Sequence, residues 1–429
     1  NGLSIPYTSY GSSLANYAII SVPLKLDKPS VQQVLDELPA YDKTKWRISH
    51  YDNITNSNKE LAPSEEIRPG IGYWLLIKDN PGVSLTTGPG STVDATSPFT
   101  LQLKAGWNQI GNPYNFNILW NELVAANPGL PLSFRGFNGS IKNFENKTTL
   151  NRMEGGFVNV PADMELIYPV KKNSNGRIES PGGTLENSID QADWDLDFII
   201  AQGDISNMIG GFGMRQHASE GFDIYDGFSM PRFDEFLEIN HNKKLNRYNY
   251  SKDVIPTADH HTWEFKVEAS NSDKQASIQW DNRYLGNNDF HLILYDEQSK
   301  VWMDMKEHHA YSFTPPSNFK VIYGSEHDVS KEIGLGSAKL IQVSPNPSQG
   351  PINIHLFLPD WQAKFRVQID LKSLTGVTVA NIYSGELMSG YQEIKWSGEN
   401  GLDKLPGGVY IVQLKCNNTL QTSRLILLD

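Results

Sequence analysis

Short runs in which apolar and polar residues alternate recur along most of the chain, and turns rich in Gly and Pro separate them. Examples are WDLDFII at 194–200, TWEFKVEA at 262–269 and FRVQIDL at 365–371. A period of two places every second side chain on one face, which is typical of half-buried strands. Short strands at this density are typical of β-sandwiches, so the pattern predicts a mainly β protein.

The chain has 429 residues, which is enough for several domains that each bury a core. Two polar segments with many turn formers, KKNSNGRIESPGG at 171–183 and HDVSKEIGLGSAKL at 327–340, are typical of linkers. The predicted domains are a β-rich repeat unit at 1–105, a second β-rich repeat unit at 106–180, a β-sandwich at 184–326 and an immunoglobulin-like β-sandwich at 336–429.

The first 180 residues contain two segments with the same order of features. The first has ISVP at 20–23, WR at 46–47 and GY at 72–73. The second has IGNP at 110–113, FR at 134–135 and GF at 156–157. Each copy predicts a strand, a short helix capped by Ser30 or Asn117, and then further strands. We therefore expect a duplicated, strand-rich unit.

Charge and cysteine content exclude some classes of partner. Lys and Arg number 37 and Asp and Glu number 49, which gives a net charge of −12 and disfavours nucleic acid as a partner. The single cysteine, Cys416, has no partner for an internal disulfide. No apolar run is long enough to span a bilayer. The first residues lack a signal peptide's basic and apolar regions, so we expect any export signal to lie upstream of Asn1.

The segment SPNPSQG at 344–350 marks the start of the last domain. Two prolines with fixed φ exclude a helix or a central strand there, so an entry turn is expected. LTGVTVA, LMSGYQEIKWSGEN, LPGGVYIVQL and SRLILLD follow in that order, with about seven strands in all. Gly residues in this stretch are expected to form the turns between strands.

These five elements resemble the C-terminal sorting domain (type A) of type IX secretion substrates from Bacteroidetes-type bacteria. Two features depart from that family: Lys372 and Ser373 replace the usual aromatic and Asn or Asp, and the chain ends on Asp429 instead of a basic residue. The positions that match the family are Pro345, Asn346, Pro347, Gly350, Gly376, Gly390, Gly407, Gly408, Val409, Tyr410, Leu425, Leu427 and Leu428.

The resemblance implies a route of export. Such proteins cross the inner membrane with a cleaved signal and the outer membrane through a translocon that reads this domain. They end on the cell surface or outside the cell, and in many of them the sorting domain is then removed. The partners implied are the type IX translocon and the surface attachment machinery.

The sequence carries no catalytic motif of the kinds GxSxG, HExxH, P-loop or CxxC, so we expect no enzyme. Asp193, Asp195 and Asp197 alternate with apolar residues and are expected on the wet face of a strand. The adjacent histidine pairs at 260–261 and 308–309 are expected at the surface or in turns, because neighbouring strand residues point to opposite faces.

Two groups of residues suggest binding. Asp223, Asp226 and Asp234 lie in one loop rich in Gly and aromatic residues and offer hard oxygen ligands for a structural Ca²⁺, or are solvated turn residues. Trp46, Trp74 and Trp107 are candidates for stacking on sugar rings, or are core residues.

Three functions fit these patterns. The first is a noncatalytic secreted or cell-surface protein whose upstream β-domains serve adhesion or extracellular assembly. The second is a carbohydrate-binding or polysaccharide-degrading surface protein. The third is a subunit of an extracellular filament or sheath, in contact with other surface protein chains by strand addition.

Overall fold

A computed structural model describes residues 2–79, 82–94, 96–170, 193–232, 235–245, 247–283, 285, 290–333, 338–358, 364–397, 405–417 and 419–428. Within these ranges the protein is mainly β, with many antiparallel sheets and several domains, as the alternating pattern predicts.

The chain forms two compact units. The first unit comprises Asn1–Thr257, Phe265–Tyr284 and Ala310–Pro316, and the second comprises Ala258–Glu264, Leu285–His309 and Ser317–Asp429. Because the second unit draws on residues from 258 to 309, a cut after residue 326 would divide it. The predicted linker at 171–183 lies outside the described residues.

The first repeat unit begins with a single 3-10 turn and then alternates strands with one short helix. Its elements are a 3-10 turn at Leu14–Asn16, β1 Ala18–Ile20, β2 Leu24–Leu26, α1 Val31–Val34, β3 Trp46–Asp52, β4 Ser57–Glu60, β5 Tyr73–Ile77 and β6 Gly90–Thr92. Ser30 occupies the N-cap position of α1, as predicted, but its side chain makes no capping hydrogen bond to the helix backbone; its hydroxyl instead donates to the Gln33 Oε1 atom at 2.7 Å.

The second repeat unit has the same succession of strand, helix and strands. Its elements are β7 Phe99–Leu103, β8 Gly106–Gly111, β9 Ile118–Leu119, α2 Trp120–Ala126, β10 Phe134–Asn138, β11 Asn143–Lys147, β12 Thr149–Leu150, β13 Gly155–Val160 and β14 Met164–Tyr168. The predicted cap at Asn117 is wrong: Asn117 accepts a hydrogen bond from the Arg152 N–H at 2.9 Å, and Leu119, whose side chain makes no capping hydrogen bond, occupies the N-cap position of α2.

The two repeats build sheets with the same strand order. The first sheet runs β1-β5-β3-β4 and the second runs β8-β13-β10-β11, so each strand of one has a counterpart in the other. The second strands of the two sheets, β5 and β13, are each buried on both faces. One face packs in the repeat's own core, and the other contributes to an aromatic cluster that includes Trp74, Trp107, Phe157, Phe228 and Tyr250.

The middle of the chain is a succession of strands. Its elements are β15 Trp194–Gln202, β16 Ile205–Met214, β17 Gly227–Phe228, β18 Leu237–His241, β19 Lys244–Leu245, β20 Tyr248–Ile255, β21 His261–Ala269, β22 Ala276–Gln279, β23 His291–Asp296, β24 Val301–Asp304, β25 Ala310–Phe313 and β26 Ser317–Gly324.

Two groups of these strands pair within the first unit. One sheet has the order β17-β20-β16-β15-β22-β25, with β19 paired to β20, and β16 and β20 run parallel. The strand β18 pairs with residues 265–269 of β21. In the second unit, β23 pairs with both β26 and β24.

The C-terminal domain is a sandwich of two antiparallel sheets with orders β27-β28-β31 and β30-β29-β32-β33. Alternate apolar side chains of both sheets share one core. The elements are α3 Glu326–Ile333, β27 Lys339–Ser344, β28 Ile352–Leu358, β29 Lys364–Ser373, β30 Thr378–Met388, β31 Gly390–Trp396, β32 Gly408–Cys416 and β33 Thr419–Leu427. Six of these strands follow the SPNPSQG segment, where the sequence predicts about seven, and β27 precedes it.

The linker predicted at 327–340 is wrong in its first half, where α3 forms. Its start is fixed by Ser325, whose backbone N–H and hydroxyl donate to the Asp328 Oδ2 atom at 3.0 and 2.6 Å. Ser and an acidic residue at this spacing are a helix-start signal. The linker was predicted because Gly334 and Gly336 are turn formers, and the helix-start signal at Ser325 was not used.

Among the described residues, no helix has both the length and the apolar character needed to cross a membrane.

Candidate functional site

The segment SPNPSQG connects β27 to β28 and is attached to the last strand. The Asn346 Nδ2 atom donates to the Arg424 carbonyl at 2.7 Å, and its Oδ1 atom accepts from the Ile426 N–H at 2.9 Å. Ser348 donates its N–H to the Ile426 carbonyl at 2.9 Å and accepts from the Leu428 N–H at 2.8 Å. The Pro-Asn-Pro turn therefore covers the outer edge of β33.

Strand register brings the other motif elements to the same end of this sandwich. Ser373, at the end of β29, lies opposite Tyr410 near the start of β32. Gly408 lies opposite Leu427, where β33 ends, and Leu427 forms a parallel bridge with Ser348 of the Pro-Asn-Pro segment. Three segments far apart in sequence therefore meet at one end of the four-stranded sheet.

The three-stranded sheet contributes to the same end. Trp396, at the end of β31, lies opposite Ile352, the first residue of β28 after the Pro-Asn-Pro turn. Gly390 is the exception among the motif positions, because it lies opposite Leu358 at the other end of that sheet.

Apolar side chains are exposed at this end, which we call the motif end. Leu374 and Val377, in the turn between β29 and β30, are 68% and 62% exposed, and Val409 and Leu428 are also exposed. The turn is possible because Gly376 has a φ of +86°, which favours glycine. The sequence pointed to Gly376 but not to Leu374 and Val377. Turn residues are usually polar, so two apolar residues in one turn were the available signal.

Other motif residues stabilise the sandwich. Tyr410, Leu425 and Leu427 are buried in its core, and the Gly350 N–H donates to the Ser348 hydroxyl at 3.1 Å. Gly407 and Gly408 lie at the start of β32, and Pro345 and Pro347 flank Asn346.

A second candidate site is a cavity of about 150 Å³ in the first unit. It lies between the repeat sheet containing β10 and β13 and the sheet containing β15, β16 and β20. Arg135 is opposite Phe157 in the first of these sheets, and Trp107 is opposite Asn159, so these side chains share one face. All four line the cavity.

The opposite wall carries a compact network of charges. The Lys252 ammonium lies 2.5 Å from the Asp195 Oδ2 atom and 2.7 Å from the Asp197 Oδ1 atom, and Arg215 forms a short ion pair with Asp195. These two cations and two carboxylates balance each other. The expectation that Asp195 lies on a wet face is wrong, because the two cations cover it and it is largely buried.

Arg135 lies beside this network without an ion-pair partner of its own among the described residues. It is 8% exposed, and no described carboxylate lies within ion-pair distance of its guanidinium. Burial lowers the pKa of Arg135 to about 10, which leaves the side chain charged at neutral pH. The buried Asn159 Nδ2 atom likewise has no acceptor in the described part of the chain.

Sequence reasoning missed Arg135 and Asn159. The repeat alignment places Arg135 at the same position as Arg47, which is half exposed and pairs with Glu60. A charged residue in a strand that is otherwise buried was the available signal.

The proposed calcium residues form a hydrogen-bonded loop. Asp226 accepts the N–H groups of Val254 and Asp223 at 2.9 Å each, and Asp223 accepts those of Ser219 and Tyr225 at 2.7 and 2.8 Å. Burial raises the pKa of Asp226 to about 7. Asp234 lies outside the described residues, and within them no three His, Cys, Asp or Glu side chains are grouped to hold a metal ion. The calcium site stays a prediction.

The stacking prediction for Trp46, Trp74 and Trp107 is corrected by their burial. All three are at most 2% exposed, so their ring faces are covered by protein. Trp74, for example, contacts Phe137 and Phe144 edge-on at centroid distances of 5.0 and 5.9 Å. These tryptophans stabilise the core and are not exposed on the outer surface, and Trp107 also lines the wall of the cavity described above.

Comparison with known proteins identifies no family. No protein-family model matches the chain, and no curated protein matches it. Among solved structures, dimeric latent PorU from Porphyromonas gingivalis matches with a TM-score of 0.19 and 10% identity. The match covers 82% of this chain and 35% of PorU, so this chain spans about a third of that protein. A TM-score at this level does not indicate a shared fold.

Proposed function

We propose that this chain is a noncatalytic protein exported through the type IX secretion system to the cell surface or the medium. The C-terminal sandwich acts as the sorting signal, and the upstream β-domains serve adhesion or extracellular assembly. The observation that carries the proposal is the motif end, where elements that resemble the sorting domain converge in space.

The motif end has the character of a recognition surface. Leu374, Val377, Val409 and Leu428 are exposed, although apolar side chains gain by leaving water. Exposed apolar patches commonly mark sites of protein interaction. The translocon would read this folded surface, which explains why the motif residues are spread over the sequence.

Export can be tested with the full chain behind an inner-membrane signal peptide in a bacterium that has the type IX system. A variant with both Leu374→Ser and Val377→Ser should fold but lose most of its export. Leu420→Ser is a matched control, because Leu420 is also exposed and apolar but lies at the start of β33, opposite the end of β32. Normal export of the double variant would contradict the proposal.

Assembly with other chains is a second candidate function. The strand β30 is an edge of the four-stranded sheet, is 11 residues long and exposes Val379 and Met388. Long exposed edge strands can pair with a strand of another chain. Sedimentation at rising concentration should show association, which Val379→Lys should abolish. A monomer at all concentrations would contradict assembly by this edge and leave adhesion as the role.

A further inference from the structure

Two hydrogen-bond donors that line the cavity beside β10, the Arg135 guanidinium and the Asn159 amide, have no acceptor among the described residues. Donors buried without an acceptor lose their hydration with no compensation, and the loss is larger for a charged group. Arg135 and Asn159 are both more than nine-tenths buried and line the same cavity. A ligand that brings acceptor oxygens would satisfy both groups.

The charges around the cavity favour a ligand of low negative charge. Lys252 and Arg215 form ion pairs with Asp195 and Asp197, whereas Arg135 has no ion-pair partner among the described residues and interacts with Asp197 only at longer range. Asp226 also lines the cavity. A monoanion could pair with Arg135 and would be repelled less by these carboxylates than a dianion. A guanidinium fork also matches the two oxygens of a carboxylate.

The shape of the cavity also favours a carboxylate ligand. Gly227 lies against the guanidinium, with 2.9 Å between the Arg135 Nη2 atom and the position that a Cβ would occupy, and so leaves room for it. Leu132 and Ile224, which also line the cavity, are exposed large apolar residues. The ligand would therefore place its carboxylate inward and its body against these apolar side chains.

We propose that this cavity binds the carboxylate group of a small organic acid, held by Arg135 and Asn159. The proposal is independent of the export route, because the cavity lies in the first unit and the sorting motif lies in the second. A sugar acid and an acid with an apolar body both carry the carboxylate that the cavity would bind.

Titration calorimetry of the full chain tests the proposal with D-glucuronate and benzoate as probes. D-Glucose and benzyl alcohol are their neutral counterparts, and inorganic phosphate is the competing anion. We expect saturable binding of at least one carboxylate at concentrations up to about 10 mM, the range for a ligand held by few contacts. The neutral counterparts should not bind. Preference for glucuronate or for benzoate identifies the body of the ligand.

Arg135→Gln should weaken carboxylate binding at least tenfold, and Asn159→Ala should weaken it less. Arg47→Gln is the matched control from the first repeat and should bind as the wild type does. Circular dichroism shows whether each variant folds, and Asn159→Ala carries the test if Arg135→Gln does not. Equal binding by wild type and by the folded cavity variants, no carboxylate binding, or tighter binding of phosphate would overturn the proposal.

Discussion

Replacing Arg135 by Met should stabilise the ligand-free protein, although it removes a charged residue that is buried beside two carboxylates. Burial lowers the pKa of Arg135 from its usual value to about 10. With about 12.5 as the usual value and about 1.36 kcal/mol for each pKa unit, the unfavourable burial of the charge costs about 3 kcal/mol. Met has a similar length, carries no charge and fills irregular spaces well. A net gain of about 1 to 3 kcal/mol is expected, as for other buried charges replaced by apolar residues.

Thermal unfolding of wild type and Arg135→Met, both without ligand, measures this effect. In a unit of this size, each kcal/mol should raise the unfolding midpoint by about 2 to 4 °C. Arg47→Met is the control, because Arg47 is half exposed and its replacement should change stability by less than about 0.5 kcal/mol. A lower midpoint for Arg135→Met than for wild type would contradict this prediction and show that Arg135 stabilises the fold.

Three further predictions concern other parts of the molecule. Asn346→Ala removes two hydrogen bonds to the last strand and should destabilise the sandwich by about 1 to 2 kcal/mol in urea unfolding; an unchanged midpoint would contradict this attachment. Gly390→Ala should cost about 2 kcal/mol or more, because φ is +95° and the new Cβ would lie 2.8 Å from the Trp302 ring. Gly376→Ala, with open space around it, should cost less; equal losses would refute the clash. Burial lowers the pKa of His241 to about 4, so the unfolded chain takes up the proton first as pH falls below about 6.5. The contribution of His241 to stability should therefore fall by about 2 kcal/mol between pH 7.5 and 5, whereas Asp226, whose pKa burial raises to about 7, contributes in the opposite direction. The change in His241→Gln should accordingly differ from that in wild type by about 2 kcal/mol over this pH range in urea titrations; the same pH dependence in both proteins would contradict the prediction.

Much of the fold could be predicted because its strands alternate regularly. Trp194, Leu196, Phe198 and Ile200 are buried at every second position, as the sequence pattern requires, and the strands predicted after the Pro-Asn-Pro segment all form. The duplication was visible because short apolar strings recur at similar spacing, and the two repeat sheets have the same strand order. These features are local and depend on neighbouring residues in the chain.

The candidate sites depend on packing between distant segments and were harder to predict. Arg47 and Arg135 occupy the same position of the repeat, yet only Arg135 is covered by strands of the middle region. Trp46 and Trp74 looked like sugar-binding residues only because a sequence does not show which aromatic face is buried. The sequence did not single out Leu374 and Val377, because only the strand register of the four-stranded sheet shows that their turn lies beside the end of β33.

The most direct test of export is to locate the full chain, behind an inner-membrane signal, in two otherwise identical strains that differ only in the type IX translocon. We expect protein on the surface or in the medium of the complete strain, and accumulation in the periplasm of the strain without the translocon. Equal amounts outside both strains would contradict export through the type IX translocon.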